Sequence, residues 1–215
     1  MSLNALLDEQ VRYYRAVAPE YAEHFLPFSG GAELADALDA FQPTGSVLEL
    51  ACGPGTWTAQ LLRHAADVTA VDASEEMIAI ASARVGTERA RFISADLFGW
   101  RPDRRYDVVF FGFWLSHVPV ERFASFWSMV ADCLKPDGRV FFVDDSYRTA
   151  DELVEGAESA TIERKLTDGT AYRIVKVRTG PGTSKRSSRR SAGASRSTPR
   201  RDRSSGERVL SGHDA

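Results

Sequence analysis

A carboxylate inside an apolar run, two glycines spaced one apart and two later acids are the residues of this chain best placed to do chemistry. Glu49 interrupts Val47-Leu48-Glu49-Leu50, and Ala51-Cys52-Gly53-Pro54-Gly55 follows before a helical pattern opens at Trp57. Such a junction reads as strand, tight loop and helix start. Glycines let the backbone turn sharply and approach a ligand that a Cβ would repel, and the free N–H groups of the new helix favour electronegative atoms. A carboxylate buried in a strand costs stability unless it meets a donor; a ligand amine or hydroxyl is the donor expected for Glu49. Asp72 stands 17 residues after Gly55, where a carboxylate can reach both hydroxyls of a ribose on the neighbouring loop. Asp96, one strand further out, can accept from an exocyclic amino group. Where a reacting hydroxyl needs deprotonation, His117 is the candidate general base, because an unperturbed imidazole titrates near neutrality; the alternative is that it caps or packs at the helix entry.

Positioning these groups takes an alternation of strands and helices. Leu3, Leu6, Leu7, Val11 and Tyr14 recur at helical spacing, predicting an amphipathic helix interrupted before Pro19. A second helix is expected over 31–41. After the glycine loop, a helix to about His64 leads to the β-branched run Val68-Thr69-Ala70-Val71, and strand-helix-strand is a βαβ unit. Ser74 is placed to cap the next helix, with Glu75 and Glu76 in its first turn and Met77, Ile78, Ala81 and Val85 on its buried stripe. Arg91–Ala95 gives a third strand. Asp107–Phe111 is nearly continuous in apolar residues, as expected of a central parallel strand covered on both faces. A helix over 119–133, a turn at Leu134-Lys135-Pro136-Asp137-Gly138 and a fifth strand over 139–143 complete the alternation. Residues 150–158 read as helical, and β-rich stretches at 160–166 and 171–178 flank Thr167-Asp168-Gly169, a hairpin signal. The expected fold is an open, doubly wound α/β sheet, mostly parallel, with helices on both faces and ligands at the carboxyl ends of its strands.

These motifs resemble those of the class I S-adenosylmethionine-dependent methyltransferases, specifically the compact enzymes that act on small molecules. The resemblance is carried by Leu48-Glu49-Leu50-Ala51-Cys52-Gly53-Pro54-Gly55, Val71-Asp72-Ala73-Ser74, Ala95-Asp96-Leu97-Phe98, Tyr106-Asp107-Val108-Val109 running on to Leu115-Ser116-His117-Val118, and Leu134-Lys135-Pro136-Asp137-Gly138. It implies S-adenosyl-L-methionine as cofactor and methyl transfer to an O, N or C atom of a small acceptor. It further implies that the loop Ala51, Cys52, Gly53 and Gly55 carries the backbone under the cofactor and that Glu49 orients its methionine end. Asp72 would hold the ribose hydroxyls, Ala73 and Met77 would flank the adenine, Asp96 and Leu97 would contact its amino edge, and Phe111 and Gly112 would border the methionine part. Tyr14, Tyr21, Trp114 and Tyr147 are candidate walls of an acceptor pocket. A dinucleotide oxidoreductase also uses a glycine loop and a later acid. Its third glycine would fall at position 58, where this chain has Thr58.

The chain of 215 residues, 43% of them hydrophobic, divides into N-terminal helices over 1–44 that act as a lid, a cofactor-binding core over 45–179 and a tail over 180–215. Nine Lys or Arg against three acids make the tail basic within a chain of net charge −3, and its Ser/Arg-rich composition predicts disorder. A basic tail binds phosphate backbones weakly and with steep salt dependence, so RNA association is one alternative function; cofactor binding without turnover is another. Where the family continues with an amphipathic helix, a Leu-Gly-Trp turn and a final strand, this chain has none. One permitted codon choice for Gly180 to Ser197, read from its third base, encodes ARNFEALIAPLGWGVAV, so a shifted reading frame near 178–180 would account for the tail and leave the C-terminal strand region incomplete. No Asn/Asp-Pro-Pro-aromatic motif follows the fourth strand, which removes support for base-amino methylation of DNA. Asp144-Asp145 reads as loop charge, and no metal is expected. Cys52 and Cys133 lie far apart with no spacing for a disulfide framework or a metal. No signal segment or membrane-length apolar run is evident, so a cytoplasmic location is expected. Oligomeric state is not encoded in these patterns.

Overall fold

A computed structural model describes residues 1–24, 31–145 and 147–178, together with the backbone of 208–212. Five parallel strands form the sheet: β1 Gly45–Leu50, β2 Ala65–Asp72, β3 Ala90–Ser94, β4 Tyr106–Gly112 and β5 Leu134–Asp144. A further segment, β8 Arg208–Gly212, runs antiparallel to β5, and the order is β3-β2-β1-β4-β5-β8. The strand order reverses between β1 and β4, which creates a crevice beyond their carboxyl ends. Helices α2 Gly31–Phe41, α3 Thr56–Leu61 and α4 Glu75–Val85 follow the first half of the chain, and α5 Phe123–Cys133 precedes β5.

Strand alternation sorts the core into two layers. Val47, Val108, Phe110, Phe141 and Val143 pack with Leu34 and Leu38 of α2 and Trp57 and Leu61 of α3. Leu48, Leu50, Val109 and Phe111 point the other way, onto Phe126, Met129, Val130 and Cys133 of α5. The central strands are therefore apolar on both sides, as buried parallel strands must be. Gly55, at φ +76° before α3, sits where an added Cβ would stand 2.9 Å from Ala81 Cα; glycine is what lets the loop pass against α4.

Above the crevice lie α1 Leu3–His24 and a hairpin of β6 Thr161–Lys165 and β7 Ala171–Val175. Tyr13, Val17 and Ala18 of α1 pack with Met77 of α4 and with Ile162 and Ile174 of the hairpin. The Asp168-Gly169 turn forms as expected, with Gly169 at φ +87°.

Four sequence expectations are corrected. The first helix continues through Pro19, because Val17 and Ala18 on one side of the proline and Tyr21 on the other remain packed in the same cluster. Residues 150–158 hold only a 3-10 turn, Ala150–Glu152; Glu152 folds back to accept from Thr149 N–H at 2.9 Å and from Arg164 Nε at 2.9 Å. The Leu134–Gly138 turn belongs to β5: Leu134 pairs with Tyr106 and Arg139 with Val108, so residues 135–138 bulge out of the ladder. The outer edge of β5, expected to lack a strand, carries β8 from Val140 to Asp144. The rest of the basic tail, with the disorder and RNA-binding readings placed on it, lies outside the described residues. Among the described residues no helix is long and apolar enough to cross a membrane.

Candidate active site

The crevice holds a cavity of about 500 Å³. Its floor is made by the loops after β1 (Ala51, Gly53), β2 (Asp72, Ala73, Ser74) and β3 (Ala95, Asp96, Leu97), and its far wall by Gly112, Phe113, Trp114 and His117 after β4. Residues of α1 close it from above, including Leu7, Gln10, Arg12, Tyr14 and Tyr21.

Asp72 ends β2 with both oxygens facing backbone donors: Oδ2 accepts from Gly53 N–H at 2.8 Å and Oδ1 from Ser74 N–H at 2.9 Å. A carboxylate has about four lone-pair sites, so Asp72 keeps acceptor capacity beyond these two bonds. Two acceptor positions on one carboxylate match a vicinal diol. Burial raises the Asp72 pKa, opposed by the N–H groups of Ser74, Gly53 and Ala73. Gly53, at φ +52°, has nothing within 4 Å of where a Cβ would lie, which leaves open space beside Asp72. Ser74 caps α4 by accepting from Met77 N–H at 3.1 Å, and the cap sets Met77 against the cavity beside Ala73. Further along, Asp96 Oδ1 accepts from Phe98 N–H at 3.0 Å, and its carboxylate is exposed at the edge of the cavity. The donor set and the open glycine therefore fit an adenosine: a diol acceptor at Asp72, an apolar flank at Met77 and Leu97, and an acid at the rim.

At the other end His117 is 3% exposed. Its Nδ1 lies 2.6 Å from Val175 C=O, which can only accept, so Nδ1 carries the proton and Nε2 is an acceptor. Tyr14 Oη, 3.1 Å away, donates to Nε2. Burial holds the His117 pKa well below the ordinary imidazole value, and the positive charges of Lys176 and Arg164 lower it further. These contacts favour the neutral ring and engage its acceptor nitrogen with Tyr14. Burial also raises the Tyr14 hydroxyl, with Arg164 opposing. Phe113 adopts φ +56°, an unusual conformation for a bulky side chain, and donates its N–H to Val143 C=O at 2.7 Å.

Ala51, Gly53, Asp72, Ala73, Met77, Asp96, Leu97, Gly112, Tyr14, Tyr21, Trp114 and His117 thus converge on one cavity. Five expected site residues do not line it. Glu49 lies on the α3 side of β1, and Thr58 Oγ1 donates to its Oε2 at 2.5 Å, so a protein hydroxyl takes the place of the expected ligand donor. Cys52 points into the core shared with Trp57. Gly55 packs on Ala81. The Phe111 ring stacks on Phe142 and meets Phe126 edge-on, on the α5 face. Tyr147 is 72% exposed, away from the cavity. Asp144 and Asp145 serve as a loop anchor, with Asp144 Oδ1 accepting from Ser116 Oγ at 2.9 Å and Asp145 pairing with Lys176 at 2.8 Å.

Missing from the sequence reading is the polar face of α1. Gln10, Arg12 and Arg15 line the cavity, and Arg15 pairs with Glu76 at 3.8 Å. The available signal was Gln10 itself, a polar residue in step with Tyr13 and Val17 on the buried stripe of the helix.

With this geometry in view, the comparisons with known proteins agree on a class. A family model described as methyltransferase domain matches residues 47–138. The solved DhpI-SAM-HEP complex superposes with a TM-score of 0.73 at 41% identity, covering 84% of this chain and 86% of that one. Trans-aconitate 2-methyltransferase of Escherichia coli O139:H28 is 35% identical over 94 residues, which are 43% of this chain and 36% of the relative. The chain therefore spans about a third of the length of the curated relatives it matches. A 1,6-didemethyltoxoflavin-N1-methyltransferase of Burkholderia thailandensis, solved with S-adenosylhomocysteine, shares the fold at TM-score 0.58 and 18% identity, covering 82% of this chain and 74% of that one. The chain belongs to the class I S-adenosylmethionine-dependent methyltransferases.

Proposed function

We propose that this chain transfers the methyl group of S-adenosylmethionine to an oxygen of a small anionic acceptor bound under α1. The observation that carries the acceptor class is the state of His117. Its ring donates to Val175 C=O and accepts from Tyr14, so its acceptor nitrogen is engaged within the protein rather than turned to a substrate hydroxyl. An acceptor such as a carboxylate arrives already ionised and needs no base. A cationic side chain in the cavity lining supports this class. Arg12 lines the cavity and has no ion pair among the described residues. The trans-aconitate relative, named for an anionic acceptor, supports the same class.

When bound, the cofactor supplies an electrophilic methyl group on a sulfonium. The chain's own residues then have three tasks. Asp72 and Gly53 fix the adenosine end, Arg12 orients the anionic acceptor, and α1 excludes water so that the two are held in line. The test is transfer of labelled methyl from S-adenosylmethionine to a panel of small di- and tricarboxylates, phosphonates and their neutral ester or alcohol analogues. Turnover confined to anions, and reduced by about tenfold or more in Arg12→Ala through loss of a charged hydrogen bond, is the expected result. Turnover of the neutral analogues at equal rate would reject the acceptor class.

A further inference from the structure

Gln10 is 3% exposed and lies at the seam between α1, the turn after β4 and β7. Its Oε1 accepts from Val175 N–H at 2.9 Å, and its Nε2 donates to His117 C=O at 3.4 Å. Val175 C=O in turn accepts from His117 Nδ1 at 2.6 Å. One helical turn along α1, Tyr14 donates to His117 Nε2 at 3.1 Å. These bonds close a ring through three elements that are distant in sequence. Among the described residues β7 pairs with a strand along one edge only, that of β6, so donors on its other edge need partners. Glu9 meets Arg173 N–H at 2.8 Å, and Gln10 meets Val175 N–H.

We infer that Gln10 is a positioning residue of the methyl-transfer site, fastening α1 over the cavity in the one register that brings Tyr14 to His117. The inference rests on the methyl-transfer reading above and adds to it the part that holds the roof shut. Without the Gln10 amide, Val175 N–H and His117 C=O lose their partner inside a buried seam. An unsatisfied buried group costs about 1–3 kcal/mol, and the seam relieves that cost by admitting water or by lifting α1. Leu7, Arg12 and Tyr14 form the cavity roof from the same helix, so lifting α1 opens the site. A ligand held only by the closed form is then released faster and bound more weakly.

The test uses the full chain and Gln10→Met, which keeps the length of the side chain and removes both polar atoms. S-Adenosylhomocysteine affinity is expected to fall about fivefold or more, and the loss in turnover should lie in KM rather than kcat. His117 faces Tyr14 of α1, Arg164 of β6 and Lys176 just after β7. In the parent its ring resonances should show no titration from about pH 8 down to about pH 6; hydration of the seam in Gln10→Met should move the midpoint toward the ordinary value near 6.5. Gln10→Glu retains an acceptor for Val175 N–H and should recover part of the affinity. Should Gln10→Met fail to fold, Gln10→Glu carries the test, with a smaller but measurable loss expected. Parent-like affinity and His117 titration in the folded variants would overturn the inference while leaving methyl transfer intact. A parent that does not bind S-adenosylhomocysteine would overturn the site reading, and this inference with it.

Discussion

Glu49 and Thr58 form a buried couple, and the protonation of Glu49 contributes to how stability responds to pH. Burial pushes the Glu49 carboxyl up to about 8, with the Thr58 hydroxyl opposing and the Asp72 charge adding to the rise. The unfolded carboxyl titrates near 4.3. Between those values the native state holds a proton that the unfolded state has released, so stability declines as pH rises from about 4.3 through about 8. Glu49→Gln removes that decline. Urea unfolding of parent and variant at several values across this window should diverge, with the variant gaining relative to the parent as pH increases; parallel profiles would contradict the assignment. The acids Asp72 and Asp96 do reach the cavity, because the loops after β2 and β3 pass over the carboxyl ends of the strands where it lies. Glu49 does not, because alternation along β1 puts it on the Val47 side, toward α3. That parity was readable in the sequence, but the partner hydroxyl of Thr58 was not, since it depends on the pitch at which a six-residue helix leaves the loop.

At the level of elements, the alternation of strands and helices was legible from residue 45 to residue 144, because each strand carries its own apolar run and each helix its own buried stripe. The hairpin was legible from its Asp-Gly turn. What sequence could not reveal is how α1 uses that hairpin: Glu9 and Gln10 meet Arg173 and Val175 more than 160 positions away, and no local pattern encodes such a pairing. The same long-range packing explains the course of α1 through Pro19. A proline in a helix interior removes the bond to the carbonyl four residues earlier and crowds it, here that of Arg15. Val17, Ala18 and Tyr21 hold the helix together across this defect by packing on α4 and the hairpin. Pro19 is exposed, so Pro19→Ala restores the bond without disturbing the packed face. The variant should be more stable by about 1–3 kcal/mol, read as a higher urea midpoint with an unchanged slope. A lower midpoint would mean that the proline sets an angle the roof requires.

Across the whole molecule, a reversal of strand order opens a crevice, acids and a bare glycine at strand ends equip its floor, and a helix from the start of the chain covers it. Each half alone is incomplete. The strand ends supply acceptors for an adenosine but leave it open to water, and α1 supplies Tyr14 and Arg12 but no floor. Charged side chains come from both halves, Asp72 and Asp96 from the strand ends and Asp8, Arg12 and Arg15 from α1. The central claim is that the Asp72 carboxylate, facing the cavity at the end of β2, holds the ribose of S-adenosylmethionine. Calorimetric titration with S-adenosylhomocysteine of the parent and of Asp72→Ala tests it most directly. The account predicts one site per chain in the parent and an affinity at least about tenfold weaker in the variant, from the loss of hydrogen bonds to a charged group, with the fold retained. Equal affinity in the two proteins, or no binding by the parent, would contradict it.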